Sequence, residues 1–158
     1  MIHLPMPNRQ LLLKAATTSQ YVTRVVEQHL EPVGIPAYLL VLVTHISYHA
    51  PVTPTKISEV SGIPMSTLRD NIQRLVERRL VRRTRHPSDG RSYLLVLTAR
   101  GKAMIAAADP ALFVAYRELE RRLPRPLTEY ERMLDELNAA LHEVVEPETA
   151  ARGASEAG

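Results

Sequence analysis

The chain has 158 residues, a formal net charge of +3 and a hydrophobic content of 45%, which indicates one domain with extensions and a core of its own. It contains no cysteine, so disulfides, thiolate zinc sites and cysteine-based peroxide sensing are excluded. The first eight residues do not resemble a signal peptide, and the longest apolar stretch, residues 37–43, is too short to cross a bilayer; the sequence therefore predicts a soluble cytoplasmic protein.

Two helices are predicted in the first third of the chain, after an irregular lead-in of residues 1–8. The first helix covers residues 9–30 and carries an apolar stripe so broad that two of its sides need burial, by a partner chain or by the chain itself. The second covers residues 37–49, begins after Pro36 and is nearly all apolar. It is therefore predicted to be the buried central helix of a domain.

A helix-turn-helix is predicted to follow. Thr53 is a suitable N-cap, Pro54 suits the first helical position, and Gly62 can end this helix in a left-handed conformation. Pro64 then favours a new helix over residues 65–79. The predicted apolar stripe of this second helix consists of Leu68, Ile72, Leu75 and Val76.

The opposite face of the helix over residues 65–79 carries polar side chains that can hydrogen-bond base edges and phosphates. Arginine suits guanine and glutamine suits adenine. A charged outer face can also be only a solvated surface. The candidate DNA-contacting residues on this face are Ser66, Thr67, Arg69, Asp70, Gln73 and Arg74.

A basic hairpin is predicted next, with strands over residues 80–86 and 91–98 joined by Pro87-Ser88-Asp89-Gly90. Between Pro64 and Arg100 there are nine arginines and three carboxylates, so the positive charge of the chain is concentrated here. Such a density of arginines suits phosphate neutralisation and minor-groove insertion. Helix, turn, helix and hairpin together predict a winged helix-turn-helix, and Arg83 and Arg85 join the candidate contacts.

Three short motifs resemble the MarR family of bacterial and archaeal transcriptional regulators in order and spacing. They are Leu80-Val81-Arg82-Arg83, Asp89-Gly90-Arg91 and Leu97-Thr98-Ala99-Arg100-Gly101. The resemblance implies that Arg91 enters the minor groove from the wing tip, that Asp89 orients it and holds the wing, and that residues 65–74 contact the major groove. One departure is Arg79, because the family usually has glycine at this position.

Two helical stretches are predicted in the last third of the chain. A helix begins at Ala99 after the N-cap Thr98, is interrupted by a kink or a break at Asp109-Pro110, and resumes to Leu123. A capping box of Thr128 and Glu131 is predicted to start the last helix. The apolar seam of that helix consists of Tyr130, Leu134, Leu137, Leu141 and Val144.

The predicted fold is mainly α with a small antiparallel β-wing. Residues 36–100 form the winged helix-turn-helix, residues 1–35 and 101–146 form dimerisation helices, and residues 147–158 form a disordered tail. The resemblance implies a homodimer built from the first and the last two helices, although the seam also suits packing within one chain. It further implies a transcriptional regulator, by family default a repressor, acting on double-stranded DNA with a palindromic operator.

No catalytic constellation or cofactor motif is present, so an enzyme is not expected. The resemblance implies a small aromatic acid as effector, for which the candidate residues are Tyr21, Tyr38, His45, Tyr48 and His49. Ordinary core packing explains these aromatics equally well.

Two further alternatives stay open. His45 and His49 have the spacing of metal ligands on one helix face, with His3 and His29 as additions, so a metal-responsive regulator is one alternative. A winged helix that serves only as a protein-interaction module is the other.

Overall fold

Six α-helices and one β-hairpin make up the part of the chain that the structure, a computed structural model, describes, which is residues 9–145. The elements are α1 (Arg9–Leu30), a 3₁₀ turn (Glu31–Val33), α2 (Ala37–His49), α3 (Pro54–Ser61), α4 (Met65–Glu77), β1 (Val81–Arg85), β2 (Tyr93–Leu97), α5 (Ala99–Glu120) and α6 (Leu127–Val145). This confirms the predicted fold class. The expected lead-in at residues 1–8 and the expected tail at residues 147–158 lie outside the described residues.

The described residues up to Ala115 form one compact unit and those from Tyr116 onward form a second, so the division falls inside α5. The first unit contains the winged helix-turn-helix, and the second contains α6. The assignment of residues 1–35 and 101–146 to dimerisation stays a prediction.

Helix α2 supplies the centre of the first unit, as its apolar sequence predicts. Its side chains at a spacing of three and four, Leu39, Leu42 and Ile46, are completely buried. They share one core with fully buried residues from α3, α4 and both strands, namely Ile57, Leu68, Ile72, Leu75, Val81 and Leu95. Truncating such a residue to alanine typically costs about 2–5 kcal/mol, so this core fixes the arrangement of the helix-turn-helix and the hairpin.

The ends of α3 have the predicted local chemistry. The hydroxyl of Thr53 accepts a hydrogen bond from the backbone N–H of Lys56 at 3.2 Å, and Pro54 occupies the first turn. Gly62 has a φ of +67°, and its N–H donates to the carbonyl of Ser58 at 2.9 Å. Pro64, with ψ of 141°, then precedes α4. The predicted helix-turn-helix boundaries are therefore confirmed here.

Helix α4 ends at Glu77, two residues before the predicted end at Arg79. Arg79 has a φ of +57°, so this arginine takes the left-handed conformation that glycine usually supplies. The N–H of Leu80 donates to the carbonyl of Leu75 at 2.9 Å, and the N–H of Arg79 donates to the carbonyl of Val76 at 2.9 Å. These two bonds form a Schellman motif, which turns the chain from α4 into β1.

The hairpin is confirmed, with strands slightly shorter than predicted. Val81 pairs with Leu97 and Arg85 pairs with Tyr93 in an antiparallel register. The sequence did not predict a third participant, Val52, which exchanges backbone hydrogen bonds with Leu95 at 3.2 and 2.7 Å. The segment between α2 and α3 thereby ties the hairpin to the helical core.

Helix α5 runs without a break from Ala99 to Glu120 and contains Pro110 in its interior. The alternative of a break at Asp109-Pro110 was therefore wrong, and the helix ends three residues before Leu123. A proline in a helix removes one backbone N–H donor, which disfavours the helix. The alanines at positions 106–108 and 111 have high helix propensity, and this offsets the loss on either side of Pro110.

Helix α6 begins at Leu127, so the predicted capping box of Thr128 and Glu131 was wrong. Thr128 already lies inside the first turn, and the N–H of Glu129 donates to the carbonyl of Pro126 at 3.1 Å. The proline therefore takes the place expected of a capping threonine. No residue of α6 is buried. Of its apolar seam, Leu134 and Val144 are exposed, whereas Tyr130, Leu137 and Leu141 are half-buried.

Within residues 9–145 no single helix is long and apolar enough to cross a membrane. The segments Gln10–Val33 and Ala37–His49 reach the required length and hydropathy only as a pair bent by 87°. Six residues of the second segment are buried in the core of the first unit.

Candidate nucleic-acid interface

Helix α4 is amphipathic, with Leu68, Ile72 and Leu75 in the core and its opposite face exposed. Asn71 is also buried, which the predicted stripe missed. The exposed face carries all six polar residues that the sequence selected, namely Ser66, Thr67, Arg69, Asp70, Gln73 and Arg74. The structure thus brings these side chains to one solvent-facing surface, and their contacts with DNA stay a prediction.

A chain of hydrogen bonds joins this face to the wing. The side-chain amide of Gln73 donates to the carboxylate of Glu77 at 3.0 Å, and its carbonyl oxygen accepts from the Nη2 of Arg83 at 3.0 Å. Arg83 lies on β1, so this bond links α4 to the base of the wing. The sequence indicated Gln73 and Arg83 as separate contacts and did not indicate that they bind each other.

The guanidinium of Arg83 also lies over the ring of Tyr93 on β2, with 5.0 Å between Cζ and the ring centroid. Tyr93 is half-buried and packs against the core. Tyr93 was not among the residues selected from the sequence, although strand alternation could have indicated it. Arg83 pairs with Leu95 across the hairpin, and Tyr93 is the next residue on the same face, so the two form a diagonal pair.

Arg74, the next residue of α4, is attached to a different element. Its Nη1 donates to the hydroxyl of Tyr38 on α2 at 2.6 Å, and its Cζ lies 6.0 Å from the centroid of the tyrosine ring. Tyr38 was selected as a ligand-binding candidate and Arg74 as a DNA contact. The structure therefore places one candidate from each set in direct contact.

The tip of the wing is organised by two side chains. The carboxylate of Asp89 accepts from the backbone N–H of Arg91 at 2.9 Å, so Asp89 holds the turn from which Arg91 projects. The Nδ1 of His86 accepts from the backbone N–H of Asp89 at 3.1 Å and from that of Ser88 at 3.4 Å. His86 was not among the residues selected from the sequence, although it lies within the basic hairpin.

The arginines of this surface keep their charge free. Within residues 9–145, none of the nine arginines between Pro64 and Arg100 forms an ion pair with a carboxylate. In contrast, Arg117, Arg122, Arg125 and Arg132 are all paired with glutamates of α5 and α6. Arg85 and Arg91 are exposed. The helix face and the wing therefore present uncompensated positive charge, which attracts polyanions.

Four of the five ligand-binding candidates lie on α2 and the fifth, Tyr21, is 62% exposed on α1. Tyr38 and Tyr48 are exposed, as is His49, whereas His45 is half-buried. Burial first, and the neighbouring His49 second, lower the pKa of His45 below its ordinary value of 6.5. The imidazole of His45 is therefore neutral near physiological pH.

The described residues give no support to a metal site. No group of three or more histidines and carboxylates within residues 9–145 could hold a metal ion. The Nδ1 of His29 lies 2.8 Å from the carbonyl of Val25 in its own helix, and His3 lies outside the described residues. The histidine pair on α2 therefore has no further ligand there.

A surface cavity of about 390 Å³ lies in the first unit, at the end of α2. None of the five ligand-binding candidates lines it, so it does not bear on that prediction. The lining residues are Ser47, Ala50, Pro51, Arg82, Val96, Leu97 and Lys102.

Comparison with known proteins identifies the winged helix-turn-helix. Residues 40–92 match the sequence model of the MarR family, and members of this family are transcription regulators rather than enzymes. No curated protein matches the chain. The resemblance seen in the sequence is therefore confirmed over residues 40–92, which match the MarR family.

Solved structures share the fold over most of the chain. A mutant of MarR from E. coli complexed with operator DNA has a TM-score of 0.74 at 24% identity, covering 82% of this chain and 94% of that one. The transcriptional repressor CouR bound to a 23-mer DNA duplex has a TM-score of 0.72 at 22% identity, with coverage of 89% and 99%. The regulator MosR from M. tuberculosis in complex with DNA has a TM-score of 0.74 at 19% identity, with coverage of 85% and 97%.

Proposed function

We propose that this chain, with its MarR-family winged helix-turn-helix, is a sequence-specific DNA-binding transcriptional regulator that acts as a homodimer. The observation that carries the proposal is the uncompensated positive charge of α4 and the wing, where Arg69, Arg85 and Arg91 are exposed and have no carboxylate partner within residues 9–145. In this proposal α4 lies in the major groove and the wing tip enters the adjacent minor groove. Three structures of the same fold contain DNA, which supports this geometry.

The DNA contacts divide into two classes in this proposal. The wing arginines neutralise phosphates and occupy the minor groove, which gives affinity that falls steeply with salt. The exposed side chains of α4 contact base edges, which gives sequence preference. Asp89 and His86 serve the first class, because they fix the turn that carries Arg91.

Apolar side chains left exposed on the helices outside the winged helix-turn-helix support the homodimer. Leucine side chains of α1 are 52–67% exposed at positions 11–13, and Phe113 of α5 is 65% exposed. On α6, Leu134 and Val144 of the predicted seam are 51% and 78% exposed. Large apolar side chains left exposed next to each other on a helix are a feature of interfaces between chains. Twofold symmetry then requires a palindromic operator with half-sites about one helical turn apart.

Repression is the proposed regulatory outcome, since a dimer that covers an operator excludes other proteins from it. A small aromatic acid is the proposed effector, and it acts by favouring one spacing of the two recognition helices over another. The contact between Tyr38 and Arg74 supports this coupling, because a ligand that moves Tyr38 also releases a residue of the DNA-binding face.

Selection of duplexes from a random pool tests the proposed function, because the operator sequence need not be specified in advance. We expect the full chain to enrich a palindrome with half-sites about 10 base pairs apart, and sedimentation to give a dimer of the free protein. Enrichment of no sequence, with equal weak binding to all duplexes, would instead indicate a winged helix that serves a protein partner.

A further inference from the structure

The side-chain amide of Gln73 has both of its hydrogen-bonding ends occupied within the chain. Its carbonyl oxygen accepts from Arg83 and its amino group donates to Glu77, each at 3.0 Å. Recognition of adenine by glutamine needs the same oxygen and the same amino group, because the pairing is bidentate. One N–H and one lone pair of the amide remain, but the two bonds fix the orientation of the Gln73 amide through contacts within the chain, although its residue type suggests base reading.

The N-terminal half of α4 is different. Within residues 9–145 the side chains of Ser66, Thr67, Arg69 and Asp70 form no hydrogen bond, and all four are exposed. In helix-turn-helix proteins the N-terminal residues of the recognition helix are the ones that contact base edges. The free donors and acceptors of α4 therefore lie at the end of the helix that approaches the bases.

The hydrogen bond with Gln73 helps to hold the side chain of Arg83 in one position. Its guanidinium is held at one edge by the carbonyl oxygen of Gln73 and on its face by the ring of Tyr93. Guanidinium has five N–H donors, and Gln73 takes one of them, so the remaining donors are available at the junction between α4 and the wing. A side chain held in this way loses little conformational freedom when it binds a phosphate.

We propose that Gln73 is a positioning residue that holds Arg83 for a backbone phosphate between the major-groove helix and the wing, and that Ser66, Thr67, Arg69 and Asp70 determine base preference. This assignment rests on the proposed DNA-binding function. Glu77 completes the arrangement, because it fixes the amide of Gln73 with its oxygen towards Arg83. The recognition helix and the wing base thereby present their contacts as one rigid surface.

Affinity measurements on the full chain test this assignment. The variants are Gln73→Ala, Arg83→Ala and the double variant, each measured on the duplex selected by wild type and on a panel in which every base pair of one half-site is changed in turn. We expect Gln73→Ala to weaken all duplexes by the same factor, about threefold to tenfold. We expect the double variant to bind as Arg83→Ala does, because Gln73 acts through Arg83.

Two controls make the readout specific. Arg85→Ala removes the same charge from the same strand, but Arg85 forms no hydrogen bond with the side chain of Gln73. In the double variant of Arg85→Ala and Gln73→Ala, the loss of affinity should therefore equal the product of the two single-variant factors. Arg69→Ala should change the order of preference among the panel duplexes, which verifies that the panel detects a base-reading residue.

If Gln73→Ala lost affinity only for duplexes changed at one base pair, Gln73 would be a base reader and the assignment would be overturned. The assignment would also be overturned if the double variant of Gln73→Ala and Arg83→Ala lost affinity by the product of the two single-variant factors. Unchanged affinity of Gln73→Ala would overturn it as well. If wild type discriminates among the duplexes while any of these results appears, the proposed function stands and this assignment alone fails. If wild type does not discriminate at all, the proposed function fails and the assignment fails with it.

Discussion

Arg79 holds a backbone conformation that L-amino acids avoid. Its φ of +57° brings the Cβ close to the following carbonyl, which costs roughly 1–2 kcal/mol relative to glycine. The turn persists because its two hydrogen bonds and the burial of Leu80 and Val81 are determined by the core on both sides. The absence of the usual glycine therefore leaves the turn intact and stores strain at one residue.

Replacement of Arg79 by glycine should therefore stabilise the protein. We expect the free energy of unfolding to rise by about 1 kcal/mol, since relief of the left-handed strain exceeds the greater entropy of glycine in the unfolded chain. Urea denaturation measures the change. Arg78→Gly is the matched control, because it removes the same charge at a φ of −75°, where glycine brings no relief. Equal effects of the two variants would contradict the strain argument.

His45 is predicted to make stability depend on pH. Burial lowers its pKa in the folded state below 6.5, so the unfolded chain takes up the proton first as the pH falls. The contribution of neutral His45 to the free energy of unfolding is complete above the ordinary pKa of 6.5 and is lost as the pH falls through 6.5 towards the lowered pKa. We expect His45→Gln to lose less stability than wild type between neutral and mildly acidic pH, as measured by urea denaturation at each pH. A steeper loss in the variant would contradict this.

The single-residue features differ in how far the sequence predicts them. Thr53, Gly62 and Asp89 act on backbone within a few residues, so their roles can be read locally. The bond between Arg74 and Tyr38 joins residues 36 positions apart, and that between Arg83 and Gln73 joins residues 10 apart. Both depend on how the core packs α2, α4 and β1 against each other, which residue type and spacing do not encode.

At the scale of elements, the start of α5 explains the Leu-Thr-x-x-Gly motif. The hydroxyl of Thr98 donates to the carbonyl of Arg79 at 2.6 Å and accepts from the N–H of Gly101 at 3.0 Å. A Cβ on Gly101 would lie 2.1 Å from the carbonyl oxygen of Leu80. The motif thus joins the first turn of α5 to the turn between α4 and β1, and glycine is required because backbone meets backbone there.

Gly101→Ala should consequently destabilise the protein, even though alanine favours helix. We expect a loss of about 1–3 kcal/mol in the free energy of unfolding, because the carbonyl of Leu80 must move. Thermal or urea denaturation measures it. Gly90→Ala is the matched control, since a Cβ at Gly90 meets nothing within 4 Å. A Gly101→Ala variant as stable as wild type would show that the two backbone segments separate at little cost.

The elements themselves follow from the sequence wherever apolar periodicity and turn residues agree, as in α1, α2 and α3, whose bounds are as predicted. The errors occur where a prediction relied on one or two residues and not on the sequence around them. Pro110 indicated a break, but the alanine-rich turns around it carry the helix through. Thr128 and Glu131 indicated a capping box, but the helix had already begun after Pro126. The pairing of Val52 with Leu95 escaped prediction because a single bridging residue leaves no periodic pattern.

At the scale of the whole molecule, the described charges are distributed unevenly. Arginines between Pro64 and Arg100 have no carboxylate partner within residues 9–145, whereas Arg117, Arg122, Arg125 and Arg132 are each paired with a glutamate of α5 or α6. Positive charge is therefore left free on the winged helix-turn-helix. On α6, in the second unit, the apolar side chains of Leu134 and Val144 are exposed. The free positive charge of the first unit agrees with the proposed binding of DNA.

The proposed dimer predicts a specific effect of charge on the seam. Leu134→Glu should weaken self-association by tenfold or more, because it buries an unpaired carboxylate in an apolar interface, an error that costs about 1–3 kcal/mol or more. Analytical ultracentrifugation over a dilution series measures the dissociation constant. Ala139→Glu places the same charge on the opposite side of α6 and should leave association unchanged. An unaffected dimer in the Leu134→Glu variant would remove the seam from the interface.

The central claim is that α4 and the wing bind DNA through free arginines, and one measurement tests it most directly. The dissociation constants of wild type and Arg91→Ala are measured on the selected duplex and on a scrambled duplex over a range of salt concentrations. We predict that wild type prefers the selected duplex, that its affinity falls steeply with salt, and that Arg91→Ala lowers the slope by about one. Equal affinity for both duplexes with little dependence on salt would contradict the claim.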